Sequence, residues 1–213
     1  MPTKQKRDAK KTKQKILTYA MSLFSQKGFN ATTVDDIAKA GDVNKALIYY
    51  YFKNKADLYA NVMSESLQEI YENIDAMQSA EDSPTEALKQ FILSYATFAD
   101  VHPYFPALLL RELSYSGSRL PETMFVDMRR LFALLSAILE RGEASGEFHN
   151  VIPMIIHFMI LGTINLMITT APLRLKAAAQ ADVNVDTCAE CTVDEISHYV
   201  FEKIKLMLKE EER

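Results

Sequence analysis

The chain has 213 residues, 48% hydrophobic and 24% charged, with six Gly, seven Pro and two Cys. That length and apolar share allow a buried core and exclude an intrinsically disordered chain, while so few turn formers argue against a many-stranded β architecture. The formal net charge of −4 is unevenly placed: residues 1–60 carry twelve Lys and Arg against five Asp (+7), and the rest carries 12 basic against 23 acidic groups (−11), so only the N-terminal piece suits a polyanion.

The start, Met1-Pro2-Thr3-Lys4-Gln5-Lys6-Arg7, is basic with no apolar run after it. It is not read as a secretory signal, and a cytoplasmic location is expected. Ile16, Leu17, Ala20, Met21, Leu23 and Phe24 recur at helical spacing and predict a first helix over residues 8–26, ended by Gly28 in a left-handed position. Thr32 and Thr33 are N-cap candidates, each with an Asp three residues on (Asp35, Asp36), for a short helix over 34–40. Gly41-Asp42 then reads as a turn and Asn44 as the cap of a third helix over 45–52.

After a break at Lys53-Asn54-Lys55, the residues Leu58, Val62, Met63, Leu67, Ile70 and Ile74 mark a long fourth helix. Pro84 suits the first turn of the next, and further helices are expected near 84–100, 104–116, 121–141, 151–171 and 193–210. The expected fold is all-α, with about nine helices: an N-terminal three-helix helix-turn-helix domain followed by a larger helical bundle.

Two short helices joined by a four-residue turn and backed by a supporting helix form an arrangement in which the second helix enters the DNA major groove. At about 100° per residue, Ile48 and Phe52 share one sector and can pack inward, while Ala46, Leu47 and Tyr50 fall roughly opposite. Small and apolar side chains meet thymine methyls, and a Tyr hydroxyl reaches a base edge or phosphate. Lys45 and Tyr49 lie on one flank and Tyr51 on the other, where sugar-phosphate walls would run. Lys55 is placed to hold a phosphate, and Thr33 to offer a hydroxyl and an amide to another. The competing reading makes Tyr49, Tyr50, Tyr51 and Phe52 plain core, but three consecutive aromatics span too wide an arc to be buried together.

The run Gly28-Phe29, Thr32-Thr33-Val34, Asp36-Ile37-Ala38, Val43-Asn44-Lys45, Ile48-Tyr49, Phe52 and Lys55 resembles the signature of TetR (tetracycline-repressor) family regulators over the first quarter of the chain. By that resemblance Thr33, Lys45, Tyr49, Tyr50, Tyr51 and Lys55 match operator-contacting positions, with Ala46 and Leu47 facing bases. Two departures stand out: Gly41-Asp42 where the family commonly has Ala-Gly, and Tyr51 where it often has His. The resemblance implies a DNA-binding domain over 1–55 and a ligand-binding and dimerisation domain over 56–213. It also implies a cytoplasmic repressor that binds a palindromic double-stranded operator as a homodimer and is released by a small, largely apolar effector, with no catalytic role and no cofactor.

Within the second part, Phe91, Tyr95, Phe98, Phe105, Met124, Met128 and Phe158 are candidates for the implied pocket, against the competing reading of ordinary core. Residues 151–170 hold no Lys, Arg, Asp or Glu and approach the length of a membrane span. His157, Asn165, Thr163, Pro153 and the flanking Glu147 weigh against insertion, so no membrane partner is expected. A helix apolar all round is also buried when a partner subunit covers it, and the resemblance implies a dimer interface here, with Ile155, Met159, Ile196, Val200 and Ile204 as candidates. Cys188-Ala189-Glu190-Cys191 is a lone C-x-x-C, read as free loop thiols with a redox or metal role as the rival; no metal ligand set is proposed. The functional alternative is a helical small-molecule carrier or enzyme with an incidental basic N-terminus.

Overall fold

The computed structural model describes residues 4–77, 82–115, 117, 120–180 and 188–209, and every regular element among them is helical. The order is α1 (Lys4–Ala31), α2 (Val34–Ala40), α3 (Lys45–Tyr51), α4 (Lys55–Met77), α5 (Pro84–Val101), α6 (Tyr104–Ser114), α7 (Glu122–Ser145), α8 (Pro153–Thr169), α9 (Ala171–Gln180) and α10 (Val193–Lys209).

Local chemistry accounts for the boundaries. Thr33 and Asp36 form a reciprocal capping box at the start of α2, so Thr33 is the cap, while the Thr32 hydroxyl turns inward to donate to the carbonyl of Gly28 at 2.8 Å. Asn44 caps α3 by accepting from the Ala46 amide at 2.8 Å. Asn54 accepts from the Asp57 amide at the start of α4, and Ser83 from the Glu86 amide at the start of α5, where Pro84 follows. Gly146, at φ 75°, closes α7 in the left-handed region.

The core is one continuous apolar cluster. It begins with Ile16, Leu17, Phe24, Ile37, Ile48 and Phe52 in the three N-terminal helices and passes through Leu58, Val62 and Met63 of α4. It continues into the bundle at Phe91, Tyr95, Phe105, Leu135, Ile160 and Ile204. α4 packs against α1 on one side and α5 and α7 on the other, and α6 lies along α1, so the head is joined to the body through α4 and α6.

Three expectations need adjustment. Ten helices lie among the described residues where about nine are expected: the additional one, α9, has no buried residue and no apolar stripe for periodicity to reveal. Pro172 cannot donate the amide that would continue α8, and α8 and α9 meet at 59°. Gly28 does have positive φ, but its pair of angles (82°, 168°) belongs to the region almost reserved for glycine, and helical turns resume after it as far as Ala31. Cys188 and Cys191 are joined as a disulfide with their Cα atoms 5.1 Å apart, not left as free thiols. Among the described residues no single helix is long and apolar enough to cross a membrane; α8 and α9 reach that length only together, across their bend.

Candidate nucleic-acid interface

The geometry of α3 follows from what its two sides must do. Ile48 and Phe52 are buried in the apolar cluster they share with residues of α1 and α2, which fixes the rotation of the helix and turns the opposite side outward. The turn that aims it is set by Asp42 at φ 46°, a left-handed conformation Asp tolerates, and by the Val43 amide donating to the Ala38 carbonyl at 3.0 Å. On the outward side Tyr50 is 78% exposed, Tyr49 48%, and Ala46 is exposed, whereas Leu47 is half-buried. Two large aromatics held in water by the helix's own packing are unfavourable for solubility and suited to contact with a flat apolar base edge.

The polar candidates are more constrained than the sequence suggests. Lys45 is exposed and ion-paired with Asp35 at 2.8 Å, and that hydrogen bond raises its pKa above the ordinary lysine value. Thr33 is exposed but its hydroxyl is engaged with Asp36, whose carboxyl is held below the usual range chiefly by the Thr33 amide. Tyr51 is half-buried, and its hydroxyl donates to the carbonyl of Ala9 in α1 at 3.2 Å. The Lys55 ammonium donates to the carbonyls of Phe29 (2.8 Å) and Thr32 (3.0 Å) and sits 4.4 Å from the centre of the Phe29 ring. It therefore ties the start of α4 to the end of α1.

Sequence reasoning offers no signal for Arg111, because its partners lie some 85 positions away. From α6 its guanidinium donates to the carbonyls of Ser25, Gln26 and Lys27 at 3.3–3.4 Å, satisfying the open end of α1 just before Gly28. A residue of the body thus grips the helix that supports the head.

In the body, Phe91, Tyr95, Phe98, Phe105 and Met124 are buried together in the core and Met128 is half-buried. The Tyr95 hydroxyl donates to Asn165 at 2.8 Å, and burial pushes its pKa up. Phe158, expected beside them, points outward instead and is 61% exposed on α8. The expected dimer row divides as well: Ile155 is 53% exposed and Met159 half-buried, but Ile196, Val200 and Ile204 are the inward face of α10 and part of this chain's own core. The outward apolar residues of α10 are Tyr199, Leu206 and Met207. His157 is interior as expected but not satisfied: no described residue bonds its Nδ1, and burial holds its pKa down at about 4. Glu112 is also buried, with neither carboxylate oxygen bonded by any described residue.

A helix-turn-helix head with an exposed aromatic reading face, carried on an all-helical body, defines a DNA-binding transcriptional regulator. Residues 16–62 match the family model described as bacterial regulatory proteins, tetR family, and residues 81–169 the one described as tetracyclin repressor-like, C-terminal domain. The probable HTH-type transcriptional regulator YttP of Bacillus subtilis (strain 168) is 32% identical over 139 residues, which is 64% of this chain and 67% of that protein. The HTH-type transcriptional regulator RutR of Escherichia coli (strain K12) is 25% identical over 202 residues, covering 95% and 94%. The chain belongs to the TetR family.

Among solved structures, the regulator FadR of Bacillus subtilis, in complex with stearoyl-CoA, has a TM-score of 0.69 at 22% identity and covers 92% of this chain and 97% of its own. The TetR family regulator PfmR of Thermus thermophilus has a TM-score of 0.66 at 24% identity, with both chains covered in full. These two likenesses support the fold.

Proposed function

We propose that this chain is a cytoplasmic, ligand-responsive repressor, not an enzyme, that binds a palindromic operator as a homodimer. The observation that carries the reading is the outward side of α3, where Ala46, Tyr49 and Tyr50 face solvent while Ile48 and Phe52 anchor the helix from behind. Ala46, Leu47 and Tyr50 read base edges; Thr33, Lys45, Tyr49 and Tyr51 face the sugar-phosphate walls. Lys55 acts first as a buttress, and any phosphate contact it makes uses its third N–H. The head spans residues 1–55 and the ligand-binding and dimerisation part 56–213. The outer faces of α8 and α10 supply the dimer contact, centred on Ile155, Phe158, Leu166, Tyr199 and Leu206, all exposed in the single chain. A small, largely apolar effector enters the bundle among Phe91, Tyr95, Phe98, Phe105, Met124 and Met128 and alters the spacing of the two heads, so operator and effector weaken each other's binding equally.

The test is selection of duplexes from random DNA at low ionic strength, with and without a metabolite library, followed by affinity as a function of salt. A palindromic consensus and a steep salt dependence are expected. Replacing Lys45 with Ala reduces the salt slope by about one unit on all sequences, and replacing Tyr50 with Ala changes the preferred bases. Protein that ignores DNA at low ionic strength refutes the reading.

A further inference from the structure

The chain's two cysteines lie outside both the reading head and the buried aromatic cluster, yet the turn they bridge is anchored at each end. The carbonyl of Cys188 accepts from Nε of Arg174 at 3.1 Å. The same guanidinium donates through Nη1 to the carbonyl of Met167 (2.6 Å), in the last turn of α8, and to the hydroxyl of Thr170 (2.8 Å). A residue of α9 therefore ties the end of α8 to the cysteine turn. At the other end Cys191 packs half-buried against the core, directly before Thr192, whose hydroxyl and amide share a capping box with Glu195 and so start α10. Cys188 sits at φ 45°, a left-handed conformation that few residues other than Gly adopt. Both cysteines are partly solvent-accessible, so a small reactant reaches them.

We propose that Cys188 and Cys191 form a reversible thiol–disulfide site, reactive toward low-molecular-weight disulfides, through which oxidation fixes the α8–α9 corner against the start of α10. One cysteine thiolate attacks a sulfur of the small disulfide RSSR; that S–S bond breaks, and one thiolate leaves with the proton the cysteine gave up. The second cysteine then attacks the protein sulfur of the mixed disulfide and displaces the other thiolate, which takes the second proton. Two cysteine thiols become one cystine while RSSR becomes two RSH, and no further reactant is needed.

Once closed, the bridge encloses only Ala189 and Glu190, and the turn cannot extend. Once opened, the turn keeps the Cys191 amide bond to the Cys188 carbonyl at 3.4 Å and the Arg174 contact but loses the covalent constraint that holds Cys188 to Cys191. α8 and α10 also carry the exposed apolar residues Phe158, Leu166, Tyr199 and Leu206, and the turn is tied to the end of the first through Arg174 and leads directly into the second. A metal role has less support: no group of three or more His, Cys, Asp or Glu among the described residues is placed to hold an ion. The site gives the regulator a redox input chemically separate from effector binding, and one in keeping with a reducing compartment, where such bridges are transient.

The experiment uses the full chain, reduced with dithiothreitol and then incubated with oxidised glutathione. Alkylation by N-ethylmaleimide, counted by mass spectrometry, is expected to mark two thiols before oxidation and none after. Amide exchange over residues 171–176 and 188–196 is expected to be roughly threefold or more slower in the oxidised form. Cys188→Ser is expected to retain one glutathione as a mixed disulfide without that slowing, and the double variant Cys188→Ser/Cys191→Ser to ignore the oxidant while keeping its helical circular dichroism. Two thiols still open to alkylation after oxidised glutathione, or a bridge that forms with unchanged exchange at both segments, would overturn the proposal.

Discussion

The guanidinium of Arg111 fills the space that a side chain on Gly28 would need. A Cβ at Gly28 would lie 2.6 Å from Nη2 and 2.8 Å from Cζ of Arg111, and the φ of 82° excludes most other residues independently. The glycine therefore serves twice: it allows the kink within α1, and it lets a side chain from α6 reach the carbonyls of Ser25, Gln26 and Lys27 just before that kink.

Gly28→Ala is accordingly expected to destabilise the protein by about 2 to 4 kcal/mol, from backbone strain plus displacement of Arg111. In an Arg111→Ala background the same substitution should cost less, because the steric part is gone; urea denaturation of the four proteins of this cycle measures the difference. Equal costs in both backgrounds would mean that the contact carries no energy.

Lys55 has a structural role that DNA is not needed to reveal. Lys55→Met keeps the stem over Phe29 but removes the ammonium bonds to the carbonyls of Phe29 and Thr32, and should lower stability by about 1 to 3 kcal/mol in the absence of any nucleic acid. An unchanged urea midpoint would assign the ammonium to phosphate binding alone.

The two faces of α8 and α10 predict opposite behaviours. Ile155→Asp, on the exposed face, should shift sedimentation from dimer to monomer with little loss of helical signal. Ile196→Ala, on the buried face, should instead lower stability by about 2 to 5 kcal/mol. If Ile155→Asp leaves the sedimentation coefficient untouched, the dimer contact lies elsewhere.

His157 sets a pH dependence whose sign follows from its burial. The folded imidazole titrates near 4 against 6.5 for the exposed group, so the folded state binds fewer protons between those values. Its stabilising contribution is fully present above about pH 6.5 and is lost as pH falls toward 4, amounting to about 2 kcal/mol between pH 7 and pH 5. His157→Phe should remove that part of the slope; stability measured at both pH values in the two proteins tests it, and parallel losses would refute the assignment.

The head is legible in the sequence because its signals are local. Thr33 with Asp36, Asn44 before Lys45, and Ile48 with Phe52 all act within a few residues, where spacing alone decides geometry. The charge contrast between the first 60 residues and the rest is equally open to inspection. In the body the same reasoning reaches only as far as helix identity. On a helix apolar nearly all round, periodicity does not say which side faces the chain's own core, and so Phe158 is expected inward when it lies outward. The reverse happens on α10, where Ile196, Val200 and Ile204 form the apolar stripe that periodicity detects, and that stripe is buried by this chain itself.

Sequence alone thus determined an all-helical chain with a helix-turn-helix head, because capping, turn chemistry and the 3.6-residue period are short-range and additive. Tertiary structure decided what the long polar side chains do. Arg111 and Lys55 close on backbone carbonyls far away in sequence, and Cys188 meets Cys191 in a turn whose ends are held by Arg174 and Thr192. A flexible cationic side chain takes whichever unsatisfied acceptor the folded backbone brings within reach, and that acceptor exists only once the helices have packed.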